Sequence, residues 1–309
     1  MRRRCSFLSP VDASRGMILI MVLWALFFLG ALAVAIAAYV RPQLSLAGKI
    51  RDAALARALA ESGVKRAMAG INNRAAFNVT ALKDFAPDDD LIDEERKINI
   101  NTAPEDTLKR FFEMAAGLDP RQAEDITAAI LDWRQPGEQP RKNGAKSDYY
   151  QALNPSYPCK KAPVNVLEEL LLVKGVTSGI FKKIKNEVTI YGTGCININT
   201  ADAGTLRSLG LTAAAADKII RYRNGSDGVP ATQDDHVFSD IGKIVNTLNT
   251  VQLLAKDEAA CLADIIGKGL VCVRSEYFKG RSAGKSNREA VMIDFIFNRQ
   301  GKINFWREE

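Results

Sequence analysis

The sequence predicts an α+β protein: a long N-terminal helix packed on a small antiparallel sheet, with a large α-helical region inserted between the two. Three observations carry this expectation. Met17 to Val40 form an uncharged stretch of 24 residues. A motif at Ile98 returns 98 positions later, at Ile196, inside a helix-rich middle. From Leu270 onward the apolar residues alternate with a period of two, as in strands. The composition agrees with an ordered chain. Of 309 residues, 47% are hydrophobic and 25% charged, which excludes wholesale disorder.

The first element is the apolar helix. As an α-helix, 24 residues span roughly 36 Å, enough to cross a hydrocarbon core of ~30 Å. Arg2, Arg3, Arg4 and Arg15 precede it, opposed only by Asp12. Such a basic flank keeps the N-terminus cytoplasmic and sends the rest across the membrane. The run is too long for the apolar core of an ordinary secretory signal. The short polar leader ends Ser14-Arg15-Gly16, directly before Met17. That junction resembles a type IV prepilin peptidase site, which makes Gly16 and Met17 the residues of cleavage and N-methylation. Met21 stands fifth from Met17, where pilins usually carry Glu. A buried carboxylate there needs a partner, so Met21 suits a subunit at a fibre end.

Beyond Arg41-Pro42, apolar residues at Leu44, Ala47, Ile50, Ala54, Ala58, Val64, Met68 and Ile71 continue the helix as an amphipathic one to about Asn72. Asn72 to Arg96 is mixed and contains the acidic turn Pro87 to Asp90.

The repeat comes next. Residues 98–108 read ININTAPEDTL and 196–206 read ININTADAGTL, identical at eight of eleven positions. Each copy predicts a short extended segment, then a helix start at Asn-Thr-Ala with Pro104 or Asp202 in the first turn. Helical patterns follow at Leu108 to Met114, Ala123 to Trp133, Leu206 to Leu209 and Ala213 to Arg223. A further pair, Val164 to Lys174 and Ser178 to Val188, flanks Gly175. At the C-terminal end, Leu270 to Val273, Glu289 to Phe297 and Ile303 to Trp306 read as three strands. Lys279 to Asn287 and Asn298 to Gly301 read as turns. The expected organisation is a leader 1–16, a membrane helix 17–40, a helix continuation 41–96, a helical insert 97–265 and a sheet 266–309.

In this order and spacing, the residues resemble the K-type minor pseudopilins of type II secretion systems, the general secretion pathway protein K family. The resemblance is carried by Arg15-Gly16, Trp24, Leu55 to Ala60, Asp93-Glu94 and Lys97 to Ala103. It continues through Leu131-Asp132-Trp133, Asp148-Tyr149-Tyr150, Val173 to Thr177 and Phe305 to Glu309. It implies a pilin-like fold and a place at the tip of the periplasmic pseudopilus, which the protein would initiate and cap. The implied partners are the I-type and J-type minor pseudopilins, then the H-type, the major pseudopilin, the inner-membrane assembly platform and the prepilin peptidase. The implied location is the bacterial inner membrane, crossed once, with the bulk of the chain in the periplasm. A minor pilin of a type IV pilus would share the leader and helix.

Family members carry an acidic calcium loop between the Leu-Asp-Trp and Tyr-Tyr segments. Asp132, Glu138 and Asp148 match its acids, whereas Gln135, Gly137 and Lys146 stand where acids would be expected. Calcium takes six to eight oxygens, so the resemblance implies at most a weak site. Asp227, Asp234, Asp235 and Asp240 form a second acidic stretch, read as a solvated turn. Cys5 leaves with the leader. Cys159, Cys195, Cys261 and Cys272 form an even set in an oxidising compartment. Three pairings are open, and the working expectation joins sequence neighbours, Cys159 with Cys195 and Cys261 with Cys272.

A different class of function shares part of this pattern: membrane-anchored helix-hairpin-helix DNA receptors. Their hairpin turns offer Gly-rich N–H groups to a phosphate. The turns here, Lys174-Gly175-Val176-Thr177 and Leu209-Gly210-Leu211-Thr212, have one Gly each. Lys182, Lys183 and Lys185 are balanced by Glu168, Glu169 and Glu187. The net charge of +6 is half accounted for by the leader, so nucleic acid is not an expected partner. His236 is the single histidine and reads as a surface residue. With no phosphate-binding loop and no nucleophile motif, the chain is not expected to be an enzyme.

Overall fold

The computed structural model describes residues 12–72, 91–230, 232–251, 254–287 and 289–309. The basic residues Arg2 to Arg4, Cys5 and the acidic turn Pro87 to Asp90 lie outside the described residues.

Helix α1 (Asp12–Asn72) runs unbroken through Pro42. Proline leaves one helical hydrogen bond unmade, but the turns on either side hold. The face buried on the protein is Ala56, Ala60, Val64, Ala67 and Ile71, each at most 2% exposed. This differs from the apolar stripe read from the sequence. Leu44 and Ile50 are exposed, and so are Ala54 and Ala58. The sheet that covers α1 reaches only as far as Asp52, where Asn287 donates to its carboxylate at 3.0 Å. A seam can be buried only where a partner lies over it.

That sheet has four strands rather than three. Strand β1 (Leu91–Asp93) forms one edge. After a 3₁₀ turn at Glu94–Arg96 the chain enters the helical region. Its first half holds β2 (Ile98–Asn99), α2 (Glu105–Ala115), α3 (Pro120–Arg134), α4 (Ser147–Gln151), α5 (Ser178–Ile184) and β3 (Val188–Thr189). The second half holds β4 (Ile196–Asn197), α6 (Ala203–Ser208), α7 (Ala213–Arg223), α8 (Ile244–Thr250), α9 (Lys256–Gly267) and β5 (Val271–Cys272). The chain then returns to the sheet as β6 (Tyr277–Ser286), β7 (Glu289–Asn298) and β8 (Ile303–Glu308), in the order β1-β6-β7-β8, all antiparallel.

Two strand assignments from the sequence are corrected here. Val271–Cys272 does not join the C-terminal sheet; it pairs in parallel with Ile196–Asn197. Lys279 to Asn287, read as a turn, is most of strand β6. Its inward positions are Phe278, Gly280, Ser282, Gly284 and Ser286, all buried. Small residues alternate there because α1 passes very close. A Cβ on Gly284 would lie 1.9 Å from the carbonyl oxygen of Ala56. The period of two is present, but in small residues that carry no hydropathy signal.

Two cores result. One lies between α1 and the sheet, where Val64, Ala67 and Ile71 meet Phe278, Ile293, Phe295 and Phe297. The other fills the helical region and includes Phe111, Phe112, Ile130, Trp133, Tyr150, Leu206, Ile219 and Leu262.

The repeat explains the second core. In each copy the INI segment pairs in parallel with a strand that closes the unit, β2 with β3 and β4 with β5. The first Asn of each copy, Asn99 or Asn197, turns the chain by accepting from the N–H two residues on. The second, Asn101 or Asn199, uses its amide as a strand would. Asn101 bonds the N–H and C=O of Val164, and Asn199 those of Phe238. Asn and Thr therefore do not cap the following helix. Asp202 caps α6, accepting from Thr205 N–H at 2.7 Å, and Pro104 opens α2 without a side-chain cap. Each unit is locked by an arginine. Arg134 donates to the carbonyls of Ile100 and Ala103, and Arg223 to those of Ile198 and Ala201. Burial lowers both guanidinium pKa values to about 10. The segment Val164 to Lys174 forms only a 3₁₀ turn, Leu167–Leu172.

Candidate functional site

Two parts of the molecule stand out, an exposed apolar helix and a buried polar joint. The first part is the bare apolar length of α1 from Met17. Met17, Met21, Trp24, Phe27, Phe28 and Leu32 are all more than half exposed. Among the described residues α1 is the one helix long and apolar enough to cross a membrane, with a mean hydropathy of 2.8 over its most apolar window. An exposed apolar surface of that length needs a non-aqueous environment. Gly16 and Met17 both lie within α1.

The second part is the joint between the sheet and the helical region. It is built from three consecutive acids that the sequence reading did not assign to it. Asp93 ends β1 and is wholly buried. Its carboxylate accepts from Asn197 Nδ2 at 2.9 Å, Thr200 Oγ1 at 2.5 Å, Ser275 Oγ at 2.6 Å and Glu95 N–H at 2.8 Å. Burial raises its pKa, against the pull of these donors. Glu94 accepts from Thr189 Oγ1 and from Lys97 Nζ, each at 2.5 Å. Glu95 accepts from Thr193 N–H and Oγ1, each at 2.8 Å, and from Glu276 N–H. Its pKa is also raised by burial. From the other side, Arg299 donates to Ser275 C=O at 3.0 Å and to Ile71 C=O in the last turn of α1 at 3.2 Å. The joint thus gathers β1, both repeat units, the end of α1 and the return to β6. Three adjacent acids directly before the repeat were its available signal.

Beside the joint, the outer face of the sheet and the helical region enclose an open cleft of about 470 Å³. Ile296 and Phe305 from the sheet and Val166, Leu167 and Ile190 from the helical region line it, together with Asp294, Arg307, Lys185 and Glu187. Arg281 and Arg307 hold Asp294 at 2.7 Å each and lower its pKa, Arg281 contributing most.

The acids proposed for calcium do not come together. Asp132 is buried and saturated by Arg141 and by the N–H groups of Arg141 and Ala145. Glu138 is exposed, bonded to Ser147 Oγ and Lys161, and Asp148 is exposed as well. Among the described residues, no group of three or more His, Cys, Asp or Glu could hold a metal ion. The donor set does not fit calcium, because the carboxylates of Asp132 and Glu138 are met by Arg141 and Lys161. In the second acidic stretch, Asp234 folds back on its own loop. It accepts from Thr232 Oγ1, Ser226 Oγ and two N–H groups, which push its pKa well below the carboxylate range, Thr232 contributing most.

The cysteines pair otherwise than expected. Cys195 bonds Cys272, whereas Cys159 and Cys261 are free. The physical reason is the parallel pairing of β4 and β5. It brings Cys195, which precedes β4, beside the end of β5, with Cα atoms 5.7 Å apart. Cys159 is buried near Asp132, and Cys261 lies on α9 against Gly210.

The hairpin turns have internal tasks. Lys174 donates to the carbonyls of Asn143 and Gly144, and Lys183 to that of Ala116. Thr177 and Thr212 cap the helices that follow, taking the N–H groups of Ile180 and Ala215. Gly210, at φ +113°, makes room for Arg110, which crosses to bond Ser208 C=O at 3.0 Å. These groups are spent on packing hairpin against hairpin. His236 is exposed, lying against the Tyr222 ring with centroids 4.8 Å apart.

A membrane-length helix lying on an antiparallel sheet, with a two-unit helical insert between the first and second strands, defines the class: a pilin-like protein with an inserted helical head. Comparison with known proteins finds relatives for part of the chain. Residues 75–193 match the family model for type II secretion system protein K. Relatives bearing that name occur in Klebsiella pneumoniae, 31% identical over 86 residues, and in Pectobacterium carotovorum subsp. carotovorum, 28% identical over 126 residues. The matches cover 27% and 41% of this chain, and only 26% and 36% of those relatives' length. A third, from Dickeya chrysanthemi, is 31% identical over 91 residues, 29% of this chain and 25% of the relative. Among solved structures, the chain matches one from the GspK-GspI-GspJ complex of the enterotoxigenic Escherichia coli type 2 secretion system. The TM-score is 0.63 at 16% identity, covering 86% of this chain and 99% of the other. Part of the chain is thus similar to type II secretion system protein K, as the motifs implied, and its fold is that of the matched solved chain.

Proposed function

We propose that this chain is a minor pseudopilin that starts and caps the pseudopilus of a type II secretion system, doing structural rather than catalytic work. The observation that supports this best is the bulk of the head. A helical region with its own core sits beside a small sheet, on a helix whose apolar half is left bare. In a thin helical fibre each sheet packs beside its neighbours, and a head this large has space only where nothing lies above it. The fitting partners are the I-type and J-type minor pseudopilins, then the H-type and the major pseudopilin beneath them, with the assembly platform in the inner membrane. Met17 to Val40 would hold the chain in that membrane, N-terminus cytoplasmic and head periplasmic. Prepilin peptidase would cut after Gly16 and Met17 would be N-methylated.

Two measurements test this. The protein recovered from membranes should have the mass of a chain beginning at methylated Met17; a chain intact from Met1 would remove the pilin type of biogenesis. The processed protein should then form a stable complex with I-type and J-type minor pseudopilins from the same organism. Failure to do so, with pseudopilus formation unaffected by deleting the gene, would overturn the tip assignment.

A further inference from the structure

The loop from α3 to α4 is folded around cations supplied by the chain. Lys146 is buried, and its ammonium donates at 2.7 Å to the carbonyl of Asp132 and at 2.7 Å to that of Gln135. Arg141 bonds the Asp132 carboxylate at 2.9 Å and Gln135 Oε1 at 2.5 Å. Lys174 reaches in from the Lys174-Gly175-Val176-Thr177 turn. It bonds the carbonyls of Asn143 and Gly144, at 3.2 Å each, and lies over the Tyr149 ring. Three carbonyl oxygens of the loop and one from the last turn of α3 therefore face two ammonium groups. The loop is wound so tightly on Asp132 that a Cβ on Gly144 would sit 2.0 Å from its carboxylate oxygen.

Carbonyl and carboxylate oxygens converging on one point are what a calcium ion recruits. Here a buried ammonium already takes two of the carbonyls, and a guanidinium neutralises the buried carboxylate. A divalent ion placed among them would meet like charges at short range in a site shielded from water. The acids left over, Glu138 and Asp148, face solvent, and Glu138 is itself held by Lys161.

We infer that Lys146 fastens this loop in place of a metal ion, so that the loop keeps its fold without calcium. The loop contains its own reporter, since trypsin can cut after Arg141 and Lys142 only if the backbone opens. Full-length protein in detergent is digested, and cleavage at these two residues is followed by mass spectrometry. With wild type, the rate should be the same in chelator and in millimolar calcium. With Lys146→Met, which keeps the stem and removes the charge, the rate should rise about tenfold or more. Wild-type protection that is lost in chelator and restored by calcium would overturn the inference, and this arm needs no variant. Lys146→Met protein cleaved no faster than wild type would overturn it too. Should Lys146→Met not fold, Lys146→Arg is the second variant: it should keep the wild-type rate in chelator, and metal-dependent protection there would equally count against the inference.

Discussion

Among the described glycines, an added Cβ would meet its tightest obstruction at Gly284, where strand β6 crosses α1. A Cβ there would lie 1.9 Å from Ala56 C=O, 2.6 Å from Ala60 N and 2.9 Å from the Ala56 carbonyl carbon. Even a weak C–H···O contact sits at about 3.3 Å, so a single methyl must push helix and sheet roughly 1.4 Å apart. Both obstructing groups are backbone, so no side chain can rotate away. A gap of that size forfeits much of the dispersion contact along the seam. Overpacking costs about 1–3 kcal/mol, and a rigid obstruction places Gly284→Ala near 3 kcal/mol. At about 2–4 °C per kcal/mol for a protein of this size, the sheet should melt about 6–12 °C lower. The assay is thermal unfolding of the full chain in detergent by near-ultraviolet circular dichroism. Two companions calibrate it. At Gly280 a Cβ meets the Phe295 ring at 2.4 Å, and the ring can tilt, so Gly280→Ala should cost less. At Gly267 it meets nothing within 4 Å, so Gly267→Ala should be neutral or stabilise by up to about 1 kcal/mol. A Gly284→Ala protein that melts with wild type, or no lower than Gly267→Ala, would refute the reasoning.

Three further outcomes follow from the joint and the repeat units. Non-reducing peptide mapping should find Cys195 linked to Cys272, with Cys159 alkylated only after unfolding; reduction should cost up to about 4.5 kcal/mol by chain entropy, since the bridge joins residues 77 apart. Arg134→Met and Arg223→Met each remove two charge-assisted bonds to carbonyls and should each cost about 2–3 kcal/mol in denaturant melts; equal stability to wild type would show that the arginines do not lock the units. Asp93 has its pKa raised by burial, so its ionised form weighs against folding above that raised value, and this cost fades as pH falls toward the ordinary carboxylate value of 3.8. Wild type should therefore gain stability relative to Asp93→Asn as pH is lowered through this window, and a difference that does not change with pH would show that Asp93 is not titrating there.

Much of the fold was legible because its signals are local. The uncharged run at Met17 to Val40, the doubled ININ motif and the alternation of Val291, Ile293, Phe295 and Phe297 each report a period or a charge pattern over a short window. Strand β6 was missed because its period is written in Gly and Ser, which hydropathy does not register. The seam on α1 was misplaced for a related reason. Ala56 and Ala60 are buried by the sheet above them, whereas Leu44 and Ile50, though more apolar, have nothing over them. The cysteine pairing took nearness in sequence for nearness in space. The calcium expectation came instead from the family resemblance, and Arg141 and Lys146 occupy oxygens of Asp132 and Gln135.

What the sequence determined by itself is the long apolar helix, the two-unit repeat and the α+β class, since charge, hydropathy and period act between residues a few positions apart. What only the tertiary structure decided are contacts between residues far apart in the chain. The parallel pairing of β4 with β5 chose Cys272 for Cys195. The return of the chain to β6 brought Ser275 to Asp93, across 182 positions. The packing of the hairpin turn onto the loop turned Lys174 and Lys146 inward to carbonyl oxygens. A buried carboxylate or ammonium is stable only beside its partners, and which partners arrive is set by the route the whole chain takes.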